Sequence, residues 1–287
     1  MIVITGATGQ LGSRVVERLL DRVPASEVGV SVRDVDKAAS LAERGVRVRA
    51  GDFTAPGGLP YAFEGADRVL IISAAIRGDA AVAANKAAID AARTAGVRRV
   101  LYTSHQAASP TSLFAPQHTH AATEDYLTGS GIPFTALRNG FYTNTLGYYL
   151  GAALETGRLA LPEDGPFSWT AHDDLAEVAA IALAEDGVLD GVTPPLTAPE
   201  TLDLEAVAAV LSELSGRPIT RVVVSDDEWR TAAVGGGMPA PAADFTLGMF
   251  RAARRGEFAV TDPTLEKLLG RPATTVRSVL EGLAAGR

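Results

Sequence analysis

Gly6, Gly9 and Gly12 follow one another at three-residue steps. Before them, residues 1–4 form a short apolar run. After them, Val15, Val16, Leu19 and Leu20 recur at helical spacing. Strand, tight glycine turn and helix are what this spacing predicts. The first glycine lets the chain leave the strand sharply. The second removes a Cβ where a diphosphate must approach the backbone, and the third lets the helix pack closely on the strand. The helix start then offers free N–H groups and a partial positive charge to phosphate oxygens. Gly6, Ala7, Thr8, Gly9, Gln10, Leu11 and Gly12 are therefore the candidate cradle of a dinucleotide.

Further candidates fall where later apolar runs end. Residues 28–32 read as a second strand, closed by Arg33 and Asp34. An acid at this place holds a ribose 2′-hydroxyl, whereas an arginine suits a 2′-phosphate. Arg33, with Lys37 four residues on, forms a small cationic clamp and favours NADPH; Asp34 keeps NADH open. Asp52 and Phe53 follow a third strand at residues 46–50. They can bracket an adenine, or they form an Asx turn beside a core ring. Ser73, Ala74 and Ala75 follow a fourth strand, and their small side chains let a ligand lie near the backbone. Ser104 closes a fifth strand at residues 98–103, with His105 next to it.

Positioning these residues requires repeated strand–helix units. Helices are expected at residues 35–44, 79–95 and 117–128, and a sixth strand at 132–137. The fold class that follows is α/β: a Rossmann doubly wound parallel sheet with a smaller C-terminal substrate lobe. Ligands of such sheets bind beyond the carboxyl ends of the strands, where all these candidates converge. The NADP-binding unit is placed at residues 1–150 and the lobe mainly at 151–287, with about 170–186 and 192–197 returning to the core. In the lobe, residues 157–170 contain LPEDGPFSW, a loop with one tryptophan. Asp173 or Asp174 caps a helix, 193–197 is a late strand, and 203–215 is an amphipathic helix. Residues 232–242 read as an irregular lid, and the tail ends in one or two short helices.

Composition narrows the alternatives. The chain has 287 residues, 47% of them hydrophobic, and a net charge of −8 without a long basic run, so a nucleic-acid footprint is not indicated. Cysteine is absent, which excludes disulfides and thiol chemistry. No apolar stretch reaches the ~20 residues that span a bilayer. Met1 leads straight into the first strand, so the expectation is a cytoplasmic protein without a signal peptide.

With these motifs in place, the chain resembles the NmrA-like branch of the atypical short-chain dehydrogenases/reductases, which includes NAD(P)H:quinone oxidoreductases and triphenylmethane dye reductases. The resemblance rests on TGATGQLG at residues 5–12, VRD around Arg33, GDF at 51–53 and YTS at 102–104. It continues through HTHAATE at 118–124, LRNGFYTN at 137–144 and a later AHDDLA stretch. It implies NADPH across the strand ends and substrate between the sheet and the lobe. It also adds Arg138, Asn139, Gly140 and Phe141 to the coenzyme-binding residues.

The usual family enzyme pairs an upstream Ser, here Ser104, with Tyr-x-x-x-Lys. His120 takes the lysine position, and Pro116 stands where the tyrosine would be. His120 either contacts the nicotinamide ribose or donates a proton. Ser104, His120 and Tyr142 are the candidate catalytic residues. Phe141 and Tyr142 either stack on a flat ring or pack in the core. His118, two residues before His120, is expected at the surface. The function implied is hydride transfer from NADPH to a quinone or similar planar, electron-poor acceptor. The alternative is an NADP(H)-sensing regulator without turnover. No metal is expected, and a homodimer is left open.

Overall fold

The computed structural model describes residues 1–285. The first half alternates strand and helix: β1 (Ile2–Thr5), α1 (Gln10–Leu20), β2 (Val28–Val32), α2 (Ala39–Glu43), β3 (Arg47–Ala50) and α3 (Leu59–Phe63). It continues with β4 (Arg68–Ile71), α4 (Gly78–Thr94), β5 (Arg99–His105), α5 (Pro116–Gly129) and β6 (Phe134–Asn139). The second half begins with β7 (Phe141–Tyr142), α6 (Gly147–Thr156), β8 (Arg158–Pro162), β9 (Trp169–Thr170), α7 (His172–Ala184) and β10 (Gly191–Val192). It ends with α8 (Leu204–Ser215), β11 (Thr220–Val224), α9 (Asp226–Gly235), α10 (Ala240–Arg254), α11 (Thr264–Leu269) and α12 (Val276–Ala285).

The main sheet runs β10-β6-β5-β4-β1-β2-β3, and every pair in it is parallel. Every residue of β1, β2 and β4 is buried, as helices on both faces require. Strand order reverses between β1 and β4, so a crevice opens beyond their carboxyl ends. This is the doubly wound α/β sheet expected from the sequence. Helix α7, from the second half of the chain, packs on α1 in the first core. The second core is aromatic: Phe114, Phe141, Phe167, Trp169, Phe250 and Phe258 pack together in it.

Several expectations need correction. Residues 35–44 are not one helix; a 3₁₀ turn at Val35–Ala38 precedes the short α2. The loop at LPEDGPFSW narrows to residues 163–168, because β8 and β9 flank it. Strand β8 pairs with β11 and β9 with β7, neighbours too distant in sequence for local pattern to reveal. The late strand is β10 rather than 193–197. Pro194 and Pro195 cannot donate to a ladder, and only a bridge between Asn139 and Leu196 persists beyond them.

The expected lid at 232–242 is mostly helix. Ser225 and Glu228 form a capping box that starts α9, and Pro241 sits in the first turn of α10, where its missing N–H costs nothing. Only residues 236–239 separate the two helices. Neither Asp173 nor Asp174 caps α7; the cap position is Ala171. Asp174 is buried instead and accepts bonds from the backbone and hydroxyl of Thr274 at 2.6 and 3.1 Å. Arg271 completes its ring of partners at 2.8 Å.

Candidate active site

The glycine turn has the form the spacing predicts. Gly6 sits at φ +60°, and the N–H of Gly9 donates to its carbonyl at 2.9 Å. A Cβ on Gly12 would lie 2.2 Å from the Gly6 carbonyl oxygen, so only glycine fits. Helix α1 has no capping side chain and no acid in its first turn. Its amides and dipole therefore remain available to an anion such as a coenzyme diphosphate. Thr8, Gly9 and Gln10 are exposed along the turn, whereas Ala7 and Leu11 are buried in the first core and serve packing.

At the end of β2, Arg33 has no ion-pair partner among the described residues, while Lys37 lies 3.7 Å from Asp34. Asp34 also accepts the Asp36 N–H at 3.2 Å. Both members of the Lys37–Asp34 pair are occupied locally, and the clamp narrows to Arg33. Asp52 accepts the N–H and hydroxyl of Thr54 at 2.8 and 2.7 Å. These bonds, with the nearby charge of Arg33, hold its carboxyl below the usual range. It forms the Asx turn, with Phe53 half-buried against the core beneath it.

Beyond β4, the N–H of Ser73 donates to Thr103 Oγ1 at 2.9 Å and that of Ala74 to Asn85 Oδ1 at 3.1 Å. Ala75 is exposed. The Asn85 contact fixes its amide, whose Nδ2 donates to Tyr102 Oη at 3.2 Å and Thr123 Oγ1 at 3.3 Å. The Tyr102 hydroxyl in turn meets His120 Nδ1 at 2.9 Å. Its oxygen accepts the Asn85 bond, shares a hydrogen bond with His120 Nδ1, and has Thr123 as a further neighbour, so a buried polar chain holds the His120 ring in place. Burial lowers the His120 pKa to about 4, so the ring is neutral at pH 7. Burial also pushes the Tyr102 hydroxyl up, which keeps it protonated. Tyr102 is fully buried and reaches the site only through His120. Its place in the YTS motif hinted at it, but nothing in sequence spacing links β5 to His120.

Helix α5 presents His120, Thr123 and Glu124 at i, i+3 and i+4, one face of the helix, towards alternate residues Tyr102 and Ser104 of β5. Ser104 donates to Glu124 Oε1 at 2.5 Å and is 2% exposed. Arg138 grips the same carboxylate at 3.0 and 2.6 Å. The Ser104 hydroxyl thus donates to Glu124, a bond that braces α5 against the sheet. Arg138 shares that brace.

Asn139 is buried at the end of β6. A Cβ on Gly140 would lie 2.1 Å from Thr170 Oγ1, so this glycine serves close packing. Phe141 belongs to the aromatic core, with ring centroids 4.9 Å from Phe258, 5.0 Å from Phe167 and 5.3 Å from Trp169. Tyr142 packs on the first core, its ring 4.3 Å from that of His172. Core packing is thus what the structure gives both aromatics.

His105 lies beside the site, its ring 6.1 Å from His120. Its Nδ1 accepts the Ala107 N–H at 3.2 Å, and burial together with His120 keeps its pKa well below the usual value. His118 is exposed and bonds the Ser112 carbonyl at 2.8 Å. Between the β4–α4 loop, α5 and α10 lies a cleft lined by Ser73, Ala74, Ile76, Thr119, His120 and Phe245, among others. It encloses about 420 Å³ outside the atoms, open solvent at its mouth included. No cluster of metal-ligating side chains occurs among the described residues.

A doubly wound sheet, a glycine turn at its switch point and a mainly apolar cleft against α5 define a dinucleotide-binding Rossmann protein with a reductase-like site. More particularly, the chain belongs to the NmrA-like family, whose model matches residues 1–278. It is similar to an NADPH-dependent quinone oxidoreductase from Escherichia coli, solved in complex with NADPH, with a TM-score of 0.92 and 35% identity over 99% of this chain and 100% of that one. It is also similar to the triphenylmethane reductase of Citrobacter sp., solved with NADP(H), with a TM-score of 0.93 and 34% identity over 99% and 100% of the two chains. An NAD(P)H azoreductase of Xenophilus azovorans is 33% identical, the match covering 99% of this chain and 98% of that protein.

Proposed function

We propose that this protein is an NADPH-dependent reductase of quinones and similar planar, electron-poor acceptors. The observation that carries the reading is one continuous edge. It holds a glycine turn with an uncapped helix start, a free arginine after β2, and a neutral histidine lining a mainly apolar cleft. The relatives' quinone, azo and triphenylmethane acceptors are all flat and conjugated, which supports the same reading.

The coenzyme, when bound, supplies the hydride. The overall change is NADPH, a proton and a quinone giving NADP⁺ and a hydroquinone. Residues 6–12 hold the diphosphate through backbone amides, and Arg33 meets the 2′-phosphate. Gly6, Thr8, Gly9 and Gln10 would carry that contact; Ala7, Leu11 and Gly12 hold the turn in shape.

His120 occupies the lysine position of the wider family. With its pKa near 4 it holds no second ring proton at pH 7. Its role is to hydrogen-bond a ribose or acceptor oxygen through Nε2. An electron-poor acceptor needs little protonation before hydride arrives, so the absence of a tyrosine acid at residue 116 is no obstacle. The apolar lining excludes water around the reacting rings. Tyr102, Asn85, Ser104, Glu124 and Arg138 are positioning residues.

The test is steady-state oxidation of NADPH with 1,4-benzoquinone, with a triphenylmethane dye and with neither. Acceptor-dependent oxidation well above background is expected. Tight NADPH binding without turnover on any acceptor would favour the regulatory reading.

A further inference from the structure

The mouth of the cleft carries a cation stacked on an aromatic ring. Arg77, just before α4, lies with its guanidinium carbon 3.9 Å from the centre of the Phe245 ring. It is exposed and has no ion-pair partner among the described residues, although most of the chain's arginines do. Phe245 comes from α10 of the lobe and is anchored from behind by Phe114, at a centroid distance of 5.0 Å. The pair therefore joins the sheet unit and the lobe directly over the cleft. Arg77 is the one charged side chain among those lining it.

The surrounding charges are few. Asp79 lies two residues on, in the first turn of α4. Asp244, beside Phe245, is held by Arg230 at 2.6 Å. His120 is the other titratable group in the lining and is neutral.

We propose that Arg77 makes this cleft select planar acceptors bearing an anionic substituent, such as a sulfonated or carboxylated quinone or azo aromatic, over cationic dyes. The inference rests on the reductase reading and names its substrate class. A flat ring entering beside Phe245 meets an aromatic face and a guanidinium already stacked on it. Arginine stacks and pairs with a carboxylate or sulfonate through the same planar fork. A cationic triphenylmethane dye would meet an uncompensated like charge there. Arg77 sits in an irregular loop and its ring partner is far along the chain, so no local pattern marks it.

The experiment measures equilibrium binding of three probes to the full chain saturated with NADP⁺. They are anthraquinone-2-sulfonate, unsubstituted 1,4-naphthoquinone and crystal violet. The wild type is expected to bind the sulfonate most tightly and the cationic dye most weakly. Arg77→Met should lower the sulfonate-to-neutral affinity ratio about tenfold, or ~1.4 kcal/mol. Arg77→Lys should keep most of that ratio, and Arg77→Glu should reverse the order of sulfonate and dye. An unchanged ratio in Arg77→Met overturns the inference, as does a loss confined to NADP⁺ affinity. Turnover of the neutral quinone is followed in parallel and reports on the reductase reading alone. The binding ratios decide the inference whichever way that turnover falls.

Discussion

At the scale of single residues, the site depends on which polar groups are already satisfied. Arg33 has no ion-pair partner among the described residues, whereas Lys37 and Asp34 pair with each other, so the proposed preference for the phosphorylated coenzyme is assigned to Arg33. Arg33→Ala should weaken NADPH at least tenfold in a fluorescence titration while changing NADH by less than about twofold, since one charged contact is worth roughly 1.5–3 kcal/mol. Equal losses would remove the 2′-phosphate argument. The types of these residues were legible in the sequence, but their partners were not. Ser104 was singled out by its place after a strand. That its proton belongs to Glu124 depends on β5 meeting α5, a contact twenty residues away in sequence. Phe141 and Tyr142 likewise read as stacking or core rings, because the partners that surround them, the aromatic core for Phe141 and His172 with the first core for Tyr142, are distant in sequence.

At the scale of elements, the first strand, turn and helix are specified almost wholly by local pattern. Gly12 shows why: any side chain there would strike the backbone of the turn that begins the site. Gly12→Ala should destabilise the protein by about 1–3 kcal/mol, as overpacking does, and reduce coenzyme affinity together with it. Urea unfolding with and without NADPH measures both. A variant of unchanged stability and affinity would mean the turn is looser than described. The elements of the second half were less legible for physical reasons. Strands β7, β8, β9 and β10 are two to five residues long and find partners across long stretches of chain. The alanine- and glycine-rich run at 232–242 lacks strong periodicity, so the cap at Ser225 and the proline-tolerant start of α10 determined its structure.

At the scale of the whole molecule, three histidines lie where desolvation disfavours their charged form. His120 and His172 have pKa values lowered to about 4 by burial, and that of His105 is also well below normal. The unfolded chain binds these protons near pH ~6.5. Between that value and about 4 the unfolded state therefore holds more protons than the folded one, and stability falls as pH drops. Each such histidine withdraws up to ~1.4 kcal/mol per pH unit in this window. Urea midpoints should decrease from pH 7 to pH 5, before most carboxylates titrate; a constant midpoint would show that the imidazoles are not shielded. The central claim is that bound NADPH passes hydride directly to a flat acceptor in the cleft. A single-turnover stopped-flow experiment, using NADPH deuterated at the transferred position of C4 and 1,4-benzoquinone, tests it most directly. The account predicts rapid, acceptor-dependent loss of nicotinamide absorbance, slowed at least about twofold by deuterium. Bound NADPH that persists unchanged when the quinone is added would contradict it.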